Sequence, residues 1–387
     1  MYRHLEVAGF NAYKPAVYNR VRLYKAFELR RVRPQTVVLG TSRTHLGIGC
    51  GHAALARLPG PCYNLAFDGA TTREMYHYLR HAHALRRLRH VVLGLDAYHT
   101  SAAPSITRPD FDELILLDGS TPAWWRILTG DLRLLASLDT VAASLATLRA
   151  QDAAEPSWFA EDGQRLGEVF FHRAGETFVE QGPRAYFDEI DRLEVGFQAP
   201  PRTPTKQAAP SPPMDPGESS LAYVGRIVEF CRREGIDLRI FITPSHVHQL
   251  EIATETGGWS GIEDGKRALV RLLAADAARH AGQPPVPLVD FSGYSSITTE
   301  ALPARGSRQE MDYYWDSSHF KARVGDYVLD RLFDMQSASP PPDFGVRLEP
   351  ANIELFLAAQ RAGREAYRTR FPGETTELRA LVRKGAT

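Results

Sequence analysis

Apolar residues gather in five short runs along this chain, each bounded by Gly, Pro or polar residues: Thr36–Gly40, Cys62–Phe67, His90–Leu95, Leu238–Thr243 and Val286–Asp290. Runs this short and this continuously apolar suit strands buried on both faces, as in a parallel sheet. A turn of buried helix gives the same pattern, and the flanking Gly and Pro decide for strands. Between the runs, Thr72–Leu88 and Ser220–Glu234 repeat their apolar residues near a helical period. The second places Leu221, Val224, Ile227, Val228 and Cys231 on one stripe. Gly235 follows it, where a helix C-cap glycine belongs. Strand and helix in alternation predict an α/β fold: a three-layer αβα sandwich around a central, mostly parallel, five-stranded sheet of doubly wound type.

The interval Thr100–Glu218 breaks that rhythm. Phe111–Ala150 is Leu-rich and helical in pattern, and Ala199–Pro216 is a Pro-rich tract of the kind that makes exposed connections. The interval reads as a largely helical insertion over one edge or mouth of the sheet, with a separate domain as the alternative. The division expected is an N-terminal extension over 1–34, an α/β domain from 35–100 and 219–335, the insertion over 101–218, and a helical tail over 336–387. The 387-residue length and 43% hydrophobic content allow one elaborated α/β domain with a sizeable core.

Charge narrows the function classes. Lys plus Arg and Asp plus Glu number 46 each, so no global field favours nucleic acid or an anionic membrane. The short Arg-rich stretches at Arg30–Arg33 and Arg86–Arg89 read as solvated helix faces. No apolar run approaches the ~18–20 residues of a membrane span, and Met1–Lys14 has no apolar core of a signal peptide. Read literally, this is a cytoplasmic chain. Cys50, Cys62 and Cys231 form no CxxC, and Cys50 and Cys62 are open to pairing or to life as buried thiols. Neither Gly-x-Gly-x-x-Gly nor Gly-x-x-x-x-Gly-Lys follows the first strand, against a nucleotide-binding module.

Candidate chemistry sits at strand ends. The first strand runs into Gly40-Thr41-Ser42-Arg43-Thr44. A serine there stands outside the carboxyl edge of the sheet, where open α/β sheets hold ligands. A helix N-cap serine is the plainer alternative. After the last strand, Tyr313-Tyr314-Trp315-Asp316-Ser317-Ser318-His319-Phe320 brings a carboxylate and an imidazole three residues apart. Serine needs a base to take its proton, and the base needs a partner to hold its tautomer. Asp316 as a helix cap beside an exposed His319 is the structural alternative.

Together these motifs resemble the SGNH hydrolase superfamily, in which a serine near the N-terminus pairs with a C-terminal Asp-x-x-His. The layout agrees further in Gly69, within Phe67-Asp68-Gly69-Ala70, and in a block after the third strand. The strings Asn11–Pro15, Val37–Arg43, Tyr63–Ala66 and Val91–Asp96 are most similar to a bacterial envelope branch related to proteins that O-acetylate alginate and other exopolysaccharides. The resemblance covers residues 10–100 and 220–335, and leaves the insertion without a counterpart. It implies Ser42 as nucleophile, His319 as general acid–base and Asp316 as its orienter. The backbone N–H groups of Ser42 and Gly69 would face the oxyanion. The implied activity is a carbohydrate O-acetyltransferase or esterase working through an acyl-enzyme, without metal or cofactor. The implied partners are an acyl donor, a carbohydrate acceptor and other envelope polysaccharide-modification proteins, in the periplasm or on a membrane anchor.

One position departs from the superfamily. Its third block reads Gly-x-Asn-Asp, with the Asn amide as a further oxyanion donor, whereas this chain has Gly94-Leu95-Asp96-Ala97. An ionised Asp96 accepts hydrogen bonds and repels an oxyanion. Arg43 and Asn64 are the candidate replacements. The same departure supports the second reading, a degenerate domain that binds polysaccharide or scaffolds an envelope assembly. Tyr98 and His99 after the third strand, and His246 and His248 after the fourth, are candidate substrate contacts. His246-Val-His248 lacks further ligands at metal-site spacing. His77, His81 and His83 are expected to face solvent along their helix.

Overall fold

The computed structural model describes residues 10, 15–117, 138–151, 157–173, 175–198 and 218–386. The Pro-rich tract, residues 118–137 of the insertion and most of residues 1–14 lie outside that set. All five predicted runs form strands: β1 (Thr36–Leu39), β2 (Cys62–Asn64), β3 (His90–Leu95), β4 (Asp237–Ile242) and β5 (Leu288–Asp290). A sixth, β6 (Val346–Arg347), was not expected. Two exposed residues within the predicted helical tail carry no alternation that a sequence reading can find. The sheet order is β2-β1-β3-β4-β5-β6, parallel throughout except where β6 runs antiparallel to β5.

The helices that matter below are α1 (Val21–Val32), α2 (Ser42–Gly47), α3 (Thr72–Leu85), α4 (Gly167–Arg173), α5 (Pro183–Gln198), α6 (Ser220–Glu234), α7 (His248–Glu255), α8 (Trp259–Arg279), α9 (Ala322–Leu332), α10 (Ile353–Arg370) and α11 (Pro372–Ala386). Gly235 caps α6 in the left-handed conformation, as expected. Among the described residues, no helix is long and apolar enough to cross a membrane.

Alternation along each strand sends neighbouring side chains to opposite faces. Val37, Leu39, Val91, Leu93, Leu238 and Ile240 join one apolar cluster with residues of α1, α3, α6, α8 and α10. Val38, Val92, Phe241 and Val289 join a second with α9. Both faces are therefore covered, and continuous apolar strands are what such a sheet requires. Helix α1, within the expected extension, buries Val21, Ala26 and Leu29 in the first cluster, and α10 of the tail adds Ile353, Phe356 and Leu357.

The described parts of the insertion lie against the β2 edge and the carboxyl ends of the strands. Asn64 N–H donates to Asp162 O at 2.7 Å, and Arg165 N–H to His45 O at 3.0 Å. Lys25, fully buried, donates to the carbonyls of Asn64 and Gly163. Cys50 and Cys62 form a disulfide across the same corner, while Cys231 is free and buried. His81 departs from expectation. Its ring is buried, bonded to Ala26 O at 3.1 Å and accepting from Leu117 N–H at 2.9 Å. It faces α1 rather than solvent because α1 lies over α3, a neighbour invisible in the local pattern. His77 and His83 stay partly exposed.

Two glycines bring α2 and α9 into direct backbone contact. A Cβ at Gly325 would lie 1.7 Å from Gly47 O, and one at Gly47 would meet the Phe320 ring at 1.9 Å. Only glycines allow these backbones to touch. Gly325→Ala is expected to lower stability by about 1–3 kcal/mol through forced separation of the two helices. Gly196→Ala, in α5 with nothing within 4 Å of the new methyl, is expected to gain about 0.5–1 kcal/mol. Urea denaturation midpoints of the two variants test the opposite signs.

Candidate active site

In the sheet order, β1 lies between β2 and β3, so the chain departs to opposite sides after β1 and leaves a crevice at its carboxyl end. Ser42 is the first residue of α2, directly after that end. Thr41, not Ser42, is the N-cap: its hydroxyl accepts from Arg43 N–H. Ser42 Oγ is thereby left without a capping duty, and the residue is part-exposed.

The segment after β5 closes on itself before α9 begins. Trp315 N–H donates to His319 O at 2.9 Å, and Lys321 N–H to Tyr313 O at 2.8 Å. Inside this turn the Asp316 carboxylate accepts from Ser318 N–H at 2.7 Å and His319 N–H at 2.9 Å. An aspartate bonding the backbone two and three residues on is a local turn-former. The same carboxylate takes the His319 Nδ1–H, at 2.8 Å from Oδ2. Nε2 is then left with its lone pair, 2.9 Å from Ser42 Oγ. Asp316 is wholly buried, while the His319 side chain keeps 18% of its surface exposed. The alternative in which Asp316 caps α9 does not occur, because Lys321 holds that position.

Arg43 does not face the crevice as a free charge. Its Nη1 donates to Asp96 Oδ2 at 2.6 Å, its Nη2 to Ser318 Oγ at 2.7 Å and its Nε to Ser318 O at 3.1 Å. Glu194 of α5 lies 3.7 Å from the guanidinium and accepts from the Ser318 hydroxyl at 3.0 Å. Asp96 also accepts from the Thr41 and Thr243 hydroxyls, each at 2.8 Å. Burial alone raises a carboxyl pKa, but Arg43, His99 and the two hydroxyls outweigh it and bring Asp96 down to about 2. Asp96 is therefore an anion whose role is to hold Arg43. The two residues form one buried pair that joins the ends of β1, β3 and β4 to the His319 turn.

Asn64 is likewise committed to structure. Its amide donates to the Thr44 and Ile48 carbonyls at 3.1 and 2.7 Å, and its oxygen accepts from Ala66 N–H at 3.0 Å. It satisfies carbonyls at the end of α2, which a short helix otherwise leaves open. Gly69 has φ +57° in the turn after β2. Among the described residues, neither the Ser42 nor the Gly69 backbone N–H has a hydrogen-bond acceptor. Tyr98 stands half exposed in the turn after β3. His99 is buried, accepting from Asp96 N–H and bonding Ala70 O, and so ties the β3 turn to the β2 turn.

His246 and His248 support the site from behind. Both are buried. His246 N–H bonds Ser317 O at 3.1 Å, and its Nε2 lies 2.9 Å from Glu300 O. Burial and the neighbouring His248 lower His246 to about 3, so it is neutral. Burial also opposes charge on His248, but Asp191 at 2.7 Å and Glu374 at 3.4 Å overcome that and raise it to about 9. Both its ring nitrogens are thus used in joining α5, α7 and α11, which leaves none for a metal. One surface group among the described residues, Glu168, His172 and Glu310, has ligand spacing, although Glu310 already pairs with Lys321.

A local reading of the motifs missed Phe171 and Glu194 of the insertion. Phe171 stacks on Trp315 at 4.8 Å and tilts against His319 at 6.3 Å. No spacing rule links residues 171 and 194 to 319. A scan against protein-family models and a search of the curated proteins both return no match for this chain.

Two outcomes are expected. Asp96→Asn strands the buried Arg43 charge and should cost about 3–5 kcal/mol, seen as a lower urea midpoint. For His248, the folded pKa of about 9 exceeds the unfolded value near ~6.5. Its stabilisation is therefore full below about pH 6.5 and disappears as pH rises through about 9. Denaturation midpoints between those limits should fall in the wild type, and His248→Gln should remove that part of the slope.

Proposed function

We propose that this chain is an SGNH-type serine esterase or carbohydrate O-acyltransferase, built as a three-layer αβα sandwich of flavodoxin-like order. The observation that carries the reading is the unbroken line from Ser42 Oγ through both His319 ring nitrogens to a buried Asp316. That arrangement supplies a nucleophile, a base with a fixed tautomer and an orienting anion. Apolar clusters on both sheet faces and the β2-β1-β3-β4-β5 order support the fold assignment.

In this mechanism Ser42 Oγ attacks the ester carbonyl while its proton moves to His319 Nε2. Asp316 stabilises the imidazolium. The oxyanion is received by the Ser42 and Gly69 N–H groups, which have no other acceptor among the described residues. Collapse expels the alcohol, which takes the proton from His319. A water or a sugar hydroxyl then attacks the acyl-Ser42 ester and passes its proton to His319, which returns it to Ser42 Oγ as the acyl product leaves. The partners are an acyl donor, a carbohydrate acceptor and other envelope polysaccharide-modification proteins. The Cys50–Cys62 disulfide supports an oxidising compartment such as the periplasm.

A degenerate, polysaccharide-binding domain is the second reading, favoured by Asp96 where the superfamily has Asn. Covalent capture separates the two. A fluorophosphonate probe should add to Ser42, read by intact mass, and a chromogenic acetyl ester should turn over. Ser42→Ala and His319→Ala should each abolish both reactions, and Asp316→Asn should cut kcat by roughly 10⁴-fold. An unlabelled wild-type protein, or equal turnover in all variants, would rule the triad out.

A further inference from the structure

The proposed oxyanion site has a charge problem. Asp96, Asp316 and Glu194 lie around Ser42 and His319, and Arg43 beside them is neutralised by its pairing with Asp96. When Ser42 attacks, His319 gains a proton beside Asp316, but the carbonyl oxygen becomes a further anion. The third-block Asn that would donate to it is missing. A cation beside the two N–H donors would strengthen that stabilisation.

Arg108, at the start of the insertion, lies against the Gly69 turn. Its Nε donates to Gly69 O at 3.3 Å, and a Cβ at Gly69 would lie only 2.5 Å from its Nη2. The guanidinium therefore covers the face of Gly69 that a side chain would occupy, beside the N–H proposed to hold the oxyanion. The Gly69 turn follows β2, which pairs with β1, so the guanidinium lies at the neighbouring strand end to the one that carries Ser42. Among the described residues, Nη1 and Nη2 of Arg108 have no acceptor.

The mount is rigid although the side chain is exposed. Arg108 N–H donates to Glu74 Oε1 at 2.8 Å, and Glu74 is wholly buried in an ion pair with Arg22. Arg22 in turn bonds Asp110 at 3.1 Å and the Asp68 carbonyl at 3.1 Å. One buried pair thus positions both the Gly69 turn and the Arg108 loop. Ser105 strengthens the loop by bonding Thr72 Oγ1 and accepting from Arg73 N–H.

We propose that Arg108 is a catalytic residue, its free guanidinium nitrogens stabilising the oxyanion in place of the absent Asn. This rests on the serine-triad reading. The test uses the full chain with a neutral chromogenic acetyl ester, comparing wild type, Ser42→Ala, Arg108→Ala and Arg108→Lys. Arg108→Ala should lower kcat by about 10- to 100-fold with KM within about twofold. Arg108→Lys should recover part of the loss, and thermal melting should be unchanged in both. An unchanged kcat for Arg108→Ala, with or without a higher KM, overturns the role of Arg108 while Ser42-dependent turnover keeps the triad. Absence of any Ser42-dependent turnover in the wild type overturns the triad and this proposal together.

Discussion

The buried ion pair between Arg43 and Asp96 is the constraint on which the candidate site depends. Arg43 follows Ser42 in the chain, and its guanidinium reaches the backbone and hydroxyl of Ser318, the residue before His319. The pair therefore fixes the distance between two segments 277 positions apart in sequence. Such a charge is tolerable inside a protein only when a carboxylate neutralises it and its remaining N–H groups find acceptors. Asp96, supported by Thr41 and Thr243, and Ser318 together satisfy both conditions. Asp96 is thus committed to the fold, as the anion that neutralises Arg43.

Packing works alongside this electrostatic clasp. The contact of Gly47 with Gly325 lets the end of α2 touch the first turn of α9, so the two helices that follow Ser42 and His319 pack directly on one another. Behind the His319 turn, His246 and Gln249 bond Ser317, and Tyr314 bonds Pro244. From the front, Phe171 and Glu194 of the insertion press on the same turn. The turn is held on every side by groups that take no part in the proposed chemistry. A base whose tautomer and direction must be fixed benefits from this arrangement.

Much of this was legible in the linear chain. The five parallel strands were visible because a strand buried on both faces must be apolar throughout, and helix ends such as Gly235 because their chemistry is local. Ser42, Asp316 and His319 stood out for the same reason: each motif lies within a few residues, the first just past a strand and the second just before a helix. The function they are proposed to serve was read from that pattern and a family likeness.

Other features depended on neighbours far away in the chain. Nothing near Asn64 announces that its amide serves the end of α2, nothing near Asp96 that it neutralises Arg43, and nothing near His81 that α1 will cover it. β6 is too short to have a pattern, and the alliance of His248 with Asp191 and Glu374 spans 57 and 126 positions. Residue type and spacing determined which groups were capable of chemistry. Which of them were used up in holding the fold was decided by three-dimensional packing, because a polar side chain in a dry interior must bond whatever partner the chain delivers to it.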